Sequence, residues 1–130
     1  GKGQIRRAGR RVALLAFGSL LSAALAAGEE LDASVADMRF IKPLDRELIL
    51  KLAEGHELLV TIEENAVIGG AGSEVARLLE EEGILIPLLR IGLPDHFIDH
   101  GERSLLLDEA GLTAAGIAAR ICDRLPLSHQ

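Results

Sequence analysis

The chain has 130 residues (13.8 kDa), 48% of them hydrophobic, so it can bury a real core and is too apolar to be disordered. No apolar run reaches the roughly 18 residues that span a bilayer, and a lone Cys122 excludes an internal disulfide, so nothing points to an oxidising compartment. The net charge of −6 is uneven: Lys2, Arg6, Arg7, Arg10 and Arg11 fall at the start, leaving 9 of the 14 basic residues against all 20 acidic ones, and this acidic body, with no Trp or Tyr, disfavours nucleic acid.

Gln4 to Arg7 (QIRR) reads as a short polar strand, and the basic residues around it as a solvated sheet edge rather than an anion site, since edge charges block unwanted pairing. GKGQIRRAGRR lacks the apolar stretch of a signal peptide, and a start at Gly1 instead of Met reads as a piece of a longer protein. Arg11 to Phe17 (RVALLAF) is an apolar run of strand length. So short a turn before it predicts that these two strands pair antiparallel. GSLLSAALAAGEEL then places Leu20, Leu21, Ala24 and Leu25 on one helical face, with Ser19 as the expected N-cap. Ser34 to Phe40 is the next strand, stopped by Pro43. Asp45 caps a helix on which Leu48, Ile49 and Leu52 share a face, with Gly55 just after it.

His56 to Glu64 is a strand with a buried middle. GSEVARLLEEEG groups Val75, Leu78 and Leu79, and Gly83 closes that helix. Ile84 to Leu93 is the last strand, and Pro87 inside it argues for a strand start or a sheet edge. ERSLLLDEA and TAAGIAARICDRL read as helices, the second capped by Thr113. Strands and helices alternate, and the strands are nearly continuous in apolar residues. The expected fold is a three-layer α/β/α domain over residues 1–130, with a five-stranded mixed sheet whose first strand is antiparallel.

TIEENAVIGGAGSEV (Thr61 to Val75) most resembles an active site. Gly70 and Gly72 fit the first two glycines of a dinucleotide fingerprint, but Val75 stands at the third, and no Lys-Ser/Thr pair follows to make a P-loop. The helix start can hold an anion; the plainer reading is a tight turn that lets the loop approach another surface. Glu63 and Glu64 are adjacent in a strand, so they should point to opposite faces and not share one substrate. Asp95, His96, Asp99 and His100 are metal-capable residue types, but without Cys or a helical H-E-x-x-H spacing they read as a surface-contact loop. Ser19 lacks the glycines of a nucleophile elbow, and Cys122 reads as packing. No catalytic, cofactor-binding or metal-binding set is complete.

RVALLAFGSLLSAAL, DMRFIKPLD, LLVTIEENAVIGGAGSEV, IGLPDHFIDHGERSLLLDEAGL and GIAARI resemble, in order and spacing, the C-terminal domain of the 1-deoxy-D-xylulose-5-phosphate synthase family. The resemblance covers Gly1 to about Ile121. DMRFIKPLD and EENAVIGGAGS carry the wider transketolase-like C-terminal domain, and GLPDHFIDHG narrows the likeness to the synthases, against a transketolase or a 2-oxoacid dehydrogenase beta chain. The resemblance implies a cytoplasmic, homodimeric transferase that joins pyruvate to glyceraldehyde 3-phosphate with thiamine diphosphate and Mg²⁺, on the route to isoprenoids and thiamine. It also implies that cofactor and substrate residues lie on preceding domains, so this piece alone is expected to bind no cofactor and to be inactive. Its role would be to buttress those domains and the second subunit. The expected interface residues are Glu63, Glu64, Asn65, Gly69, Gly70, Gly72, Asp95, His96 and His100. The alternative from a different class is a stand-alone ligand-binding or regulatory module.

Overall fold

A computed structural model describes residues 2–39, 41, 43–65, 70–93 and 113–125. Five strands form one sheet: β1 (Gln4–Arg7), β2 (Val12–Ala16), β3 (Ser34–Asp37), β4 (Leu58–Asn65) and β5 (Leu88–Leu93). Among the described residues four α-helices accompany them: α1 (Leu21–Leu31), α2 (Arg46–Gly55), α3 (Ala71–Glu81) and α4 (Ala114–Arg124). The strand order is β1-β3-β2-β4-β5. β1 is antiparallel to β3, and the other pairs are parallel.

Side-chain alternation along the central strands builds two cores. Val12, Leu14 and Ala16 of β2 join Leu58, Val60 and Ile62 of β4 beneath α1 and α4. Ala13, Leu15 and Phe17 join Leu59 on the other side, beneath α2 and α3. Each residue of β2 is buried because helices cover both sheet faces, which is why its sequence is an unbroken apolar run.

The expected antiparallel pairing of the first two strands is corrected: β3 lies between them. The connection passes the start of β3, with Arg10 N–H on the Asp32 carbonyl at 2.7 Å and Gly9 N–H on Ser34 Oγ at 2.8 Å. A Cβ on Gly9 would stand 2.5 Å from the Asp32 oxygen and 2.6 Å from that of Ala33, so only glycine allows this crossing. Arg6 and Arg7 lie on the edge strand β1, whereas Arg10 and Arg11 stand in the connection to the central strand β2. Arg7 pairs with Asp32 at 3.1 Å and Arg11 with Glu57 at 3.3 Å.

Element ends differ from the sequence reading in several places. β3 ends at Asp37, before Arg39 takes a left-handed φ of 66°; Phe40 is outside the described residues. Ser19 is not an N-cap: it sits inside a 3₁₀ turn, Gly18–Leu20, and neither that turn nor α1 has a side-chain cap. The buried stripe of α1 is Ala24, Ala27 and Gly28, small residues that let the helix lie close to β3. Gly55 is the last residue of α2 and is not left-handed, whereas Gly83 after α3 is, at φ 71°. β5 begins at Leu88, directly after Pro87, and lies at the sheet edge, as the proline required. Asp45 Oδ1 accepts from Leu48 N–H at 3.2 Å and Thr113 Oγ1 from Gly116 N–H at 3.1 Å, so both expected caps are present. The expected helix over residues 102–110 lies outside the described residues.

Gly9→Ala is expected to lower unfolding free energy by about 2 kcal/mol or more, because backbone and not a flexible side chain must move. Ala8→Ser, at the exposed neighbour, is expected to stay within about 0.5 kcal/mol. Urea denaturation followed by circular dichroism checks both.

Candidate functional site

β2 leads through α1 to β3 on one side, while β4 leads through α3 to β5 on the other. The carboxyl ends of β2 and β4 therefore flank the point where the chain reverses its direction of travel across the sheet. Open α/β sheets carry their crevices there. Phe17, Gly18 and Ser19 after β2, Arg39 and Ile41 after β3, and Glu63 and Glu64 of β4 line a depression of about 370 Å³ at this point.

Glu63 is the most constrained of these groups. Its residue is 5% exposed. Oε1 accepts from Ala71 N–H at 2.9 Å, and Oε2 from Gly72 N–H at 2.8 Å. Both donors belong to the first turn of α3, whose N-cap Gly70 has no side chain to do this work. A helix start attracts anions through its free N–H groups and its dipole. Here the anion is the protein's own carboxylate. The glycine-rich loop thus holds a shape, and its anion site is already filled from within.

The neighbouring carboxylate departs from expectation. Glu63 is opposite Gly92 and Asn65 opposite Leu93, so Glu64 is the extra residue of a β-bulge. The bulge breaks strict alternation, and Glu63 and Glu64 line the same depression instead of being separated by the sheet. They still do not form an acid–base pair, because both oxygens of Glu63 are engaged by backbone donors. Gly72 is required by close approach: a Cβ there would meet Arg90 Cδ at 2.8 Å and Thr61 Oγ1 at 3.1 Å. Thr61 Oγ1 is buried with no hydrogen-bond partner. Glu63, Glu64, Gly70 and Gly72 therefore gather at one rim, with the backbone of Asn65 at the end of β4. Gly69, Asp95, His96, Asp99 and His100 lie outside the described residues.

Two polar clusters went unnoticed in the sequence. At the amino ends of the strands, Ser34 Oγ lies 2.8 Å from His56 Nε2, and His56 Nδ1 lies 2.8 Å from the Leu52 carbonyl. A carbonyl only accepts, so Nδ1 carries the proton there, and Ser34 Oγ also donates to the Gly9 carbonyl at 3.3 Å. Ser34 is buried and also accepts from Gly9 N–H, so this pair ties two connections together rather than presenting a nucleophile. The second cluster lies on α3. Arg77 donates to Glu74 at 2.7 Å and to Glu81 at 3.1 Å. The Glu74 bond, then the charges of Glu74 and Glu81, raise the guanidinium pKa above its ordinary value. Spacing of three and four residues was the signal available for it. Among the described residues no group of three His, Cys, Asp or Glu side chains is placed to hold a metal, and no helix is long and apolar enough to cross a membrane.

Residues 1–117 match the family described as transketolase, C-terminal domain. The chain belongs to that family. Curated relatives named 1-deoxy-D-xylulose-5-phosphate synthase agree over nearly its whole length. One, from Dechloromonas aromatica (strain RCB), is 66% identical over 121 residues, covering 93% of this chain and 20% of the relative. Another, from Bordetella petrii (strain ATCC BAA-461 / DSM 12804 / CCUG 43448), is 59% identical over 129 residues, covering 99% of this chain and 21% of the relative. The chain thus spans about a fifth of the length of these relatives. A solved structure described as a split gene transketolase, inactive beta4 tetramer, superposes with a TM-score of 0.80 at 38% identity, over 91% of this chain and 39% of that one. The family fold agrees with the mixed five-stranded sheet described above.

Glu63→Gln is expected to lower the free energy of opening the start of α3 by about 2 kcal/mol. The amide keeps one acceptor and turns an NH₂ toward a backbone donor, and bonds to a charged acceptor are worth about 1.5–3 kcal/mol each. Loss of hydrogen-exchange protection at the start of α3, with β2 unchanged, measures it.

Proposed function

We propose that the chain is the C-terminal domain, a single unit over residues 1–130, of a cytoplasmic thiamine-diphosphate-dependent 1-deoxy-D-xylulose-5-phosphate synthase. The observation that carries this reading is the 66% identity over 93% of the chain to a synthase of which it covers only 20%. The whole enzyme would be a homodimeric transferase joining pyruvate to glyceraldehyde 3-phosphate. The described residues of this domain do not fit the metal or the cofactor. The carboxylate nearest to a helix start, Glu63, is engaged by Ala71 and Gly72, and no donor set is grouped for a divalent cation. Thiamine diphosphate and Mg²⁺ would be held by the remaining four-fifths of the enzyme, and no chemical step falls to the described residues of this domain.

Its task in this reading is to support the other domains and the second subunit through the rim at the carboxyl ends of the strands, which holds Glu63, Glu64, Asn65, Gly70 and Gly72, and through Gly69, Asp95, His96 and His100, which lie outside the described residues. The bulge at Glu64 and the reversal point between β2 and β4 favour that rim, since the bulge brings Glu63 and Glu64 to one depression and open α/β sheets carry their crevices at such a point. The solved relative described as an inactive tetramer accords with a chain of this family that assembles without activity of its own.

The test is reassembly by co-expression. The remainder of the enzyme would be produced with and without this chain, beside the intact enzyme as control. Pyruvate-dependent CO₂ release is followed with both substrates, thiamine diphosphate and Mg²⁺. Turnover is expected only where both pieces are present. Full turnover by the remainder alone would overturn the supporting role and favour a regulatory module.

A further inference from the structure

Two features of the rim serve stability poorly. Glu63 carries a carboxylate into a nearly water-free position, although a Ser or Asp at the N-cap would hold the same helix start from an exposed place. Position 70 is Gly instead, and the cap comes from a residue seven positions upstream, on another element. A local cap fixes only the helix. A cap from the end of β4 fixes the helix start relative to the strand, and so closes the connection between them at both ends.

The second feature lies directly below. Gly72 lets α3 press onto the sheet until a Cβ would have only 3.1 Å to Thr61 Oγ1. That hydroxyl is left buried and unpaired. Both features act on one quantity, the position of the start of α3 over the end of β4. The residue that follows Glu63 is the bulged Glu64, which stands on the wall of the depression at the chain's reversal point.

We infer that Glu63 is the positioning residue of the docking rim: its carboxylate, seated on Ala71 and Gly72, holds the start of α3 against β4 and so presents Glu64 and Gly70 to the rest of the enzyme. The inference rests on the reading that this rim faces the other domains. Glu63 itself touches neither substrate nor partner. Its replacement leaves the two cores intact and loosens the contact made by its neighbours.

Hydrogen exchange on the intact enzyme tests this, compared with the isolated 130-residue chain. Peptides covering Thr61 to Val75 are followed, together with peptides of the other domains that gain protection when this chain is present. Glu63→Ala in the intact enzyme is expected to lower protection of the rim and of its partner surface by about tenfold or more, the loss of one to two bonds to a charged acceptor. Peptides of β2 are expected to keep theirs. Formate, which can refill the vacated carboxylate position, is expected to restore both surfaces. A purely structural role would leave the partner surface unmoved. Equal protection of that surface in wild type and Glu63→Ala overturns the inference while leaving the docking reading in place. Equal protection of the rim in the intact enzyme and the isolated chain overturns the docking reading itself. A general loss of protection that includes β2 also overturns the inference, because Glu63 would then hold up the whole fold.

Discussion

The carboxylate of Glu63 on the first turn of α3 governs the upper rim of this molecule. A charge removed from water needs donors, and the two N–H groups of Ala71 and Gly72 supply them at 2.9 and 2.8 Å. The helix start in turn needs an acceptor, and Gly70 offers none. Each group meets the other's need, and the strand end is tied to the helix start. The glycine at 72 follows from the same approach, since Arg90 and Thr61 crowd the space where a side chain would be. Glycines and carboxylates that resemble cofactor chemistry in one dimension are here the parts of an internal cap.

That cap rests on a platform with its own logic. β2 and β4 pair in parallel at the centre, from Val12 with Leu58 to Ala16 with Ile62. Alternate side chains divide between two helical layers, so the central strands are apolar on both faces. The lower rim is fastened separately. Ser34 receives Gly9 N–H and meets His56, which ties the crossing before β2 to the end of α2. The two rims thus differ in kind. The lower one is closed by hydrogen bonds and ion pairs, whereas the upper one holds a depression with charged walls.

The chain matches a fifth of the length of its synthase relatives and belongs to the family described as transketolase, C-terminal domain. Glu63, Asp45 and Thr113 serve in caps, Ser34 and His56 in a tie, and Arg7, Arg11, Arg46 and Arg77 in ion pairs. What the upper rim offers is shape and charge at the reversal point of the sheet, where open α/β sheets carry their crevices.

Sequence by itself determined the element types, because they depend on local rules. The apolar run of β2, the Asp45 and Thr113 caps, Gly83 after α3 and Pro87 before an edge strand were all legible from periodicity and backbone chemistry. The family was legible in DMRFIKPLD and EENAVIGGAGS, since those strings are specific at short range. Only the tertiary structure decided which strand stands beside which. The short turn before β2 pointed to a hairpin, and the slot taken by β3 depends on Gly9 meeting Ser34 across 25 positions. Only the tertiary structure, likewise, gave Glu63 its partner. Two adjacent glutamates look alike along a chain, and a bulge at one and a helix start eight residues from the other make one a rim group and the other a buried cap. Local rules act between near neighbours, whereas these assignments arise from contacts that exist only once the sheet has closed.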